Sequence, residues 1–220
     1  MGISRREVCA ISALVANTAA TAVMAGQAPP APGWVSLFDG RTLSGWKEAP
    51  YTRRGPVMVR DGMIVLGQGR TTGIALTREF PASGYELRFE AARLEGNDFF
   101  AGVTFPVHDS FCFWVNGGWA STVAGTVVGL SNLDGNDASE NDTSTVRKFV
   151  QGRWYAFRLA VTASRIQAWI DDDLVIDVDY TQRKVELQFD ETDLGKPLGF
   201  SAYGRTVGGL RKIEYRRLPQ

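Results

Sequence analysis

Between Gly152 and Asp179 the chain reads G-R-W-Y-A-F-R-L-A-V-T-A-S-R-I-Q-A-W-I-D-D-D-L-V-I-D-V-D, a succession of period-two runs joined by short polar turns. A helix returns its apolar positions every three to four residues, so strict alternation excludes it and specifies half-buried antiparallel strands. In the first run Tyr155, Phe157, Leu159 and Val161 share one face, and Trp154, Arg158 and Thr162 share the other. In the second, Ile166, Ala168 and Ile170 oppose Arg165, Gln167 and Trp169. Asp171-Asp172-Asp173 then turns the chain into Leu174 to Asp179, and Asp tolerates the left-handed geometry of a tight hairpin. The stretch predicts a β-meander whose polar face gathers Arg158, Arg165, Gln167 and Trp169.

The same pattern recurs upstream. Tyr85, Leu87, Phe89 and Ala91 form an apolar face opposite Glu86, Arg88 and Glu90, and turn signals stand at Asp39-Gly40, Asp61-Gly62, Ser83-Gly84, Glu95-Gly96-Asn97-Asp98 and Asn116-Gly117-Gly118. Many short strands with hardly a helical pattern mean an all-β sandwich or barrel, which composition does not separate. With 44% apolar residues and 220 residues in all, the chain can bury a sizeable core. Its 24 basic residues balance 24 acidic ones without a basic cluster, which excludes a nucleic-acid partner.

Residues 1–28 have the features of an export signal: Arg5-Arg6, an Ala-rich apolar run from Cys9 to Ala25, and a small-residue end at Ala28. The paired arginines fit a twin-arginine signal or a general secretory one. The run is too weakly apolar for a membrane span, so no transmembrane segment is expected after cleavage. The expected product is periplasmic or extracellular, with a Pro/Ala linker over residues 29–33 and one domain over 34–220. Cleavage leaves Cys112 without a partner, in an apolar setting that predicts an inert buried thiol.

The segment from Leu37 to Trp46, L-F-D-G-R-T-L-S-G-W, resembles the opening motif of the secreted 3-keto-disaccharide hydrolase domain family. Val59-Arg60-Asp61-Gly62, Tyr85 to Glu90, Gly152-Arg153-Trp154, Arg165 to Trp169, Leu198-Gly199-Phe200 and Arg211-Lys212-Ile213 resemble later motifs of the same family, so the likeness extends over about Trp34 to Leu218. It implies an antiparallel β-sandwich of the concanavalin A-like, jelly-roll type, acting on carbohydrate. Between Asn97 and Thr143 the chain departs from the family pattern. Pro106 follows Gly102-Val103-Thr104-Phe105 where the family carries Arg; Phe111 to Val115 replaces G-Y-E-V-Q; and Ser201-Ala202-Tyr203-Gly204 replaces Q-x-H-G.

In that departing region, Asp134, Asn136 and Asp137, with Glu140 and Asp142, supply oxygen ligands dense enough to wrap a calcium ion, although the EF-hand spacing is not met and a solvated loop is the alternative. His108, the one histidine, adjoins Asp109 in a loop and is a candidate base.

Two functions follow. The resemblance implies an enzyme for 3-keto glycosides, in which a base removes the C2 proton beside the ketone, the C1 substituent leaves by elimination, and water adds. Its candidates are His108 or Glu86 as base, Arg88 or Arg205 as enolate stabiliser, and Glu90, Glu140 or Asp109 as acid. The alternative is a lectin-like sandwich without catalysis, with Trp119, Trp169 and Tyr203 stacking on sugar rings and Asn116, Arg165 and Gln167 holding hydroxyls.

Overall fold

The computed structural model describes residues 33–121, 124–187 and 190–219; the export-signal reading lies outside them. In chain order the strands are β1 (Val35–Ser36), β2 (Trp46–Glu48), β3 (Val57–Arg60), β4 (Met63–Leu66), β5 (Thr71–Leu76), β6 (Tyr85–Glu95), β7 (Gly102–Val107) and β8 (Ser110–Ser121). They continue as β9 (Gly125–Ser131), β10 (Thr145–Arg147), β11 (Trp154–Val161), β12 (Arg165–Ile170), β13 (Asp173–Asp179), β14 (Gly199–Tyr203) and β15 (Val207–Arg217). One sheet has the order β13-β12-β11-β6-β15-β4-β3, with β1 on β15, and the other β10-β9-β8-β7-β14-β5-β2. All pairings are antiparallel, and the two sheets stack as a sandwich. Among the described residues no helix is long and apolar enough to cross a membrane.

The meander is present as β11-β12-β13, with a bulge between Ala168 and Trp169. Its alternation decides which face is buried: Tyr155, Phe157, Leu159, Ile166, Ala168 and Ile170 enter the core. β6 pairs with β11 so that Phe89 lies opposite Phe157, their rings stacked at 4.9 Å. From the other sheet Trp114 meets both rings edge-on, and Phe200 meets Phe89 at 4.9 Å. Offset and edge contacts of this kind add to the area term that holds the sheets together. Cys112 faces inward beside Trp114, free and buried, and burial pushes its thiol up to about 12.

The opening motif is an architectural corner. Asp39 Oδ1 accepts the backbone N–H groups of Arg41 and Thr42, each at 2.7 Å, and buried Trp46 donates Nε1–H to the Leu37 carbonyl at 2.7 Å. An Asx turn followed by a capped indole carries the chain from β1 on the first sheet to β2 at the edge of the second.

Candidate active site on the outer face of the second sheet

The structure separates the sequence-derived candidates onto opposite faces. Glu86, Arg88 and Glu90 of β6, with Arg165, Gln167 and Trp169 of β12, lie on the outer face of the first sheet. Every charge of the β6 trio is matched there. Glu86, 5% exposed, accepts from Arg158 Nη1 at 3.0 Å and from Arg216. Arg88 donates Nε–H to Glu214 at 2.7 Å and lies 4.1 Å over the Trp34 ring. Glu90 accepts from Arg211 and Lys212, each at 2.6 Å. Arg158 covers Trp169 at 3.5 Å, and Arg165 pairs with Asp177. Alternating carboxylates and guanidiniums neutralise one another and fasten neighbouring strands, and none of these residues lines the cavity on the other sheet.

On the outer face of the second sheet lies a cavity of about 660 Å³. Period two puts Phe113 and Val115 of β8 on this face while Cys112 and Trp114 enter the core, and it brings Thr71, Ser201, Tyr203 and Ser131 out from β5, β14 and β9. A Cβ on Gly102 would lie 2.3 Å from Phe113 Cζ, so the missing side chain on β7 lets that ring lie across the strand. Phe99 meets Phe113 edge-on at 5.6 Å and stacks on Tyr203 at 5.4 Å with 17° between planes. Trp119, 46% exposed, lines the cavity from within the second of two register shifts in the β8–β9 pairing, between Gly118 and Ser121, with φ 46°.

Asp98 stands at one corner. The Asp98 N–H donates to Thr206 Oγ1 at 2.9 Å, and Oδ1 accepts the Phe99 N–H at 2.8 Å. No hydrogen bond engages Oδ2 among the described residues. Burial raises the Asp98 pKa above the usual carboxylate value, against the Phe99 N–H and the charge of Arg93, which lower it. Gly204, with φ 64°, makes room for it: a Cβ there would meet Oδ2 at 3.0 Å. Arg70 shares the lining, its guanidinium exposed and without a hydrogen bond or ion pair among the described residues. Backbone bonds from Gly204 N to Arg70 O and from Tyr203 N to Phe99 O, each 3.0 Å, lock this corner.

Trp119, Tyr203 and Asp137 are the sequence-derived candidates that line the cavity. Asn116 is fully buried beneath it, its Nδ2 donating to the Ala101 carbonyl and its Oδ1 unpartnered. Arg205 occupies the turn after Tyr203 and is outside the lining. His108 and Asp109 form the β7–β8 turn, at the end of β7 opposite Asp98, and His108 Nε2 is 3.1 Å from the Ala163 carbonyl. Glu140 is exposed on the loop between β9 and β10. The proposed calcium ligands are not gathered. Asp134 binds the Lys184 N–H and Arg183, Asp137 Oδ1 accepts from Ser139, and among the described residues no group of three or more His, Cys, Asp or Glu could hold a metal ion. Asp98 and Arg70 escaped the sequence reading because Glu95-Gly96-Asn97-Asp98 signals a turn and Arg70 follows a Gly-rich hairpin.

Two antiparallel sheets in this order, with a cavity of aromatic rings and a carboxylate on one face, define a concanavalin A-like sandwich. The chain belongs to the family of 3-keto-alpha-glucoside-1,2-lyase-like domains, whose model matches residues 33–217. It is thus a sandwich domain of the glycosyl hydrolase-like or carbohydrate-binding kind. A search of curated proteins gave no match. Among solved structures the chain is similar to a Crh5 transglycosylase in complex with NAG, with TM-score 0.58 and 13% identity, covering 86% of this chain and 85% of that one. It is also similar to the exoplasmic/lumenal domain of VIP36 in its Ca2+/Man3GlcNAc-bound form, with TM-score 0.56 and 11% identity over 84% of this chain and 89% of that one. A proposed glycosyl hydrolase from Parabacteroides distasonis matches with TM-score 0.53 and 15% identity over 85% and 94%. Identities this low speak to the fold alone.

Proposed function

We propose that the chain is an exported enzyme that cleaves 3-keto glycosides in the cavity of the second sheet. The observation that carries this reading is Asp98, a partly buried carboxylate beside exposed aromatic rings and Arg70, with an Oδ2 and a neighbouring guanidinium that no side chain engages among the described residues. The ketone at C3 acidifies the C2 proton. Asp98 takes that proton, and the electron pair of the C2–H bond forms an enolate whose oxygen Arg70 stabilises. The enolate collapses to an enone as the C1–O bond breaks, and the departing oxygen takes a proton from Asp98. Water then adds at C1 and a proton returns to C2, giving a 3-keto sugar and a free alcohol. The raised pKa of Asp98 suits the task, since a base must bind the proton it removes. Trp119 and Tyr203 serve as the stacking surfaces for the sugar.

Binding without turnover is the second reading, favoured by β8, whose Phe113 and Val115 bring no polar side chain to the cavity. Purified protein assayed on 3-keto-glucosides beside their unoxidised parents separates the two. Release of the aglycone from the keto substrates alone is expected; binding of both with cleavage of neither would establish the lectin-like function.

A further inference from the structure

On β6 the inward positions run Tyr85, Leu87, Phe89, Ala91 and then Arg93. A face that is otherwise apolar thus ends in a guanidinium, 9% exposed, between the sheets. Its Nη2 donates to the Phe149 carbonyl at 2.8 Å, while Nε and Nη1 are buried without a hydrogen-bond partner. Among the described residues Arg93 has no ion pair. One carbonyl does not replace the hydration of a guanidinium, and for packing alone an apolar side chain of that length would be the more stable choice. The charge therefore needs a role.

The chain just beyond β6 supplies one. Gly208 of β15 pairs with Arg93, and the Phe100 carbonyl approaches Gly208 so closely that a Cβ there would lie 2.2 Å away. The guanidinium carbon of Arg93 lies 5.9 Å over the Phe100 ring. Asp98 stands two residues before Phe100, and its N–H is tied at 2.9 Å to Thr206, two residues before Gly208. Arg93 on the core side and Asp98 on the cavity side are thus held against one short segment by the start of β15. The other charged and titratable groups at this corner are Arg70 from the connection between β4 and β5, Tyr203 from β14, Asp137 from the loop between β9 and β10, and Arg205, exposed beside Gly204; Tyr155 of β11 acts on Arg93. Arg70 and Arg205 are exposed to water, whereas the buried charge of Arg93 is screened little. Burial raises the Asp98 pKa, and the charge of Arg93 opposes that rise.

We infer that Arg93 is a positioning residue for Asp98: its buried charge keeps the carboxylate ionised at neutral pH and so ready to take the C2 proton. This rests on the reading of Asp98 as the base, and it concerns what prepares that base.

The side-chain carboxyl carbon signal of Asp98, followed by NMR against pH, reads the effect without substrate. In Arg93→Met and in Arg93→Gln, which keeps an amide for the Phe149 carbonyl, the Asp98 midpoint should rise by about one pH unit. The acid limb of kcat/KM on a 3-keto glycoside should rise with it, because the base must be ionised. Arg93→Lys, which keeps the charge, should hold both near their wild-type positions. A purely structural role would lower melting in all three variants and leave the midpoint where it is. Since a neutral variant can fail to fold, the wild type carries a second reading: the buried Arg93 Nε–H signal should shift along the Asp98 titration and stay flat in Asp98→Asn. A midpoint unmoved in a folded neutral variant, an equal rise in Arg93→Lys, or an Arg93 signal indifferent to the Asp98 titration would each overturn the inference. If cleavage of 3-keto glycosides is nonetheless lost in Asp98→Asn, the proposed chemistry stands without Arg93. Linked titrations in a protein that cleaves no 3-keto glycoside would uphold the charge pairing and refute the chemistry.

Discussion

Replacing Glu86 by Gln keeps the side chain's shape and removes the charge that two arginines share. Glu86 is 5% exposed, and its carboxylate accepts from Arg158 and Arg216, whose side chains are 41% and 43% exposed. A charge-assisted hydrogen bond contributes about 1.5–3 kcal/mol when buried. Here the partners are two-fifths open to water, which reduces each pair toward about 1 kcal/mol. With two pairs affected, the loss should be about 2 kcal/mol, or about 4–8 °C in melting temperature for a domain of this size. Because Glu86 lies on the sheet opposite the cavity, glycoside binding and turnover below the melting range should not change. Calorimetric melting and the 3-keto-glucoside assay on the same preparation give both numbers. An unchanged melting temperature with lost turnover would refute the reasoning and return the chemistry to the first sheet.

Trp119→Ala and Trp169→Ala should part in the same way. Loss of the exposed cavity wall should weaken glycoside binding by about 1 kcal/mol or more with little effect on melting, whereas loss of the ring under Arg158 should destabilise the fold by about 1 kcal/mol and spare binding. In the loop between β9 and β10, the Arg183 side chain holds Asp142 below the usual carboxylate value. A lowered folded pKa stabilises above the unfolded value and is lost as pH falls through the folded one. The melting difference between wild type and Arg183→Ala should therefore shrink below about pH 4, and calcium should not raise the melting temperature of either beyond an ionic-strength effect.

The meander and β6 were legible in the sequence because their alternation is uninterrupted, and β11, β12 and β6 bury the faces it indicates. The family motif was equally legible, but its residues build a corner: Asp39 closes a turn and Trp46 caps a carbonyl. Beyond Trp119, Tyr203 and Asp137, the cavity was hidden for two reasons. Alternation tells two faces of a strand apart without telling which sheet bears the site, so the polar runs of β6 and β12 drew attention although their charges are mutually matched. On β8 the run Phe111-Cys112-Phe113-Trp114-Val115 is wholly apolar, so nothing in it separates the inward Trp114 from the outward Phe113 and Val115. Asp98 carries its meaning through position alone, in a turn that Thr206 and Gly204 hold against the sheet.

The central claim is that Asp98 removes the proton at C2. Cleavage of methyl 3-keto-α-glucoside in deuterated water, followed by proton NMR of the sugar, reads that step directly. The wild-type product should carry deuterium at C2. Asp98→Asn should melt no lower near neutral pH, since burial disfavours the ionised carboxylate it replaces, and should lose about a hundredfold or more of both exchange and cleavage. Cleavage that leaves the original proton on C2, or a variant that exchanges and cleaves at the wild-type rate, would contradict the account.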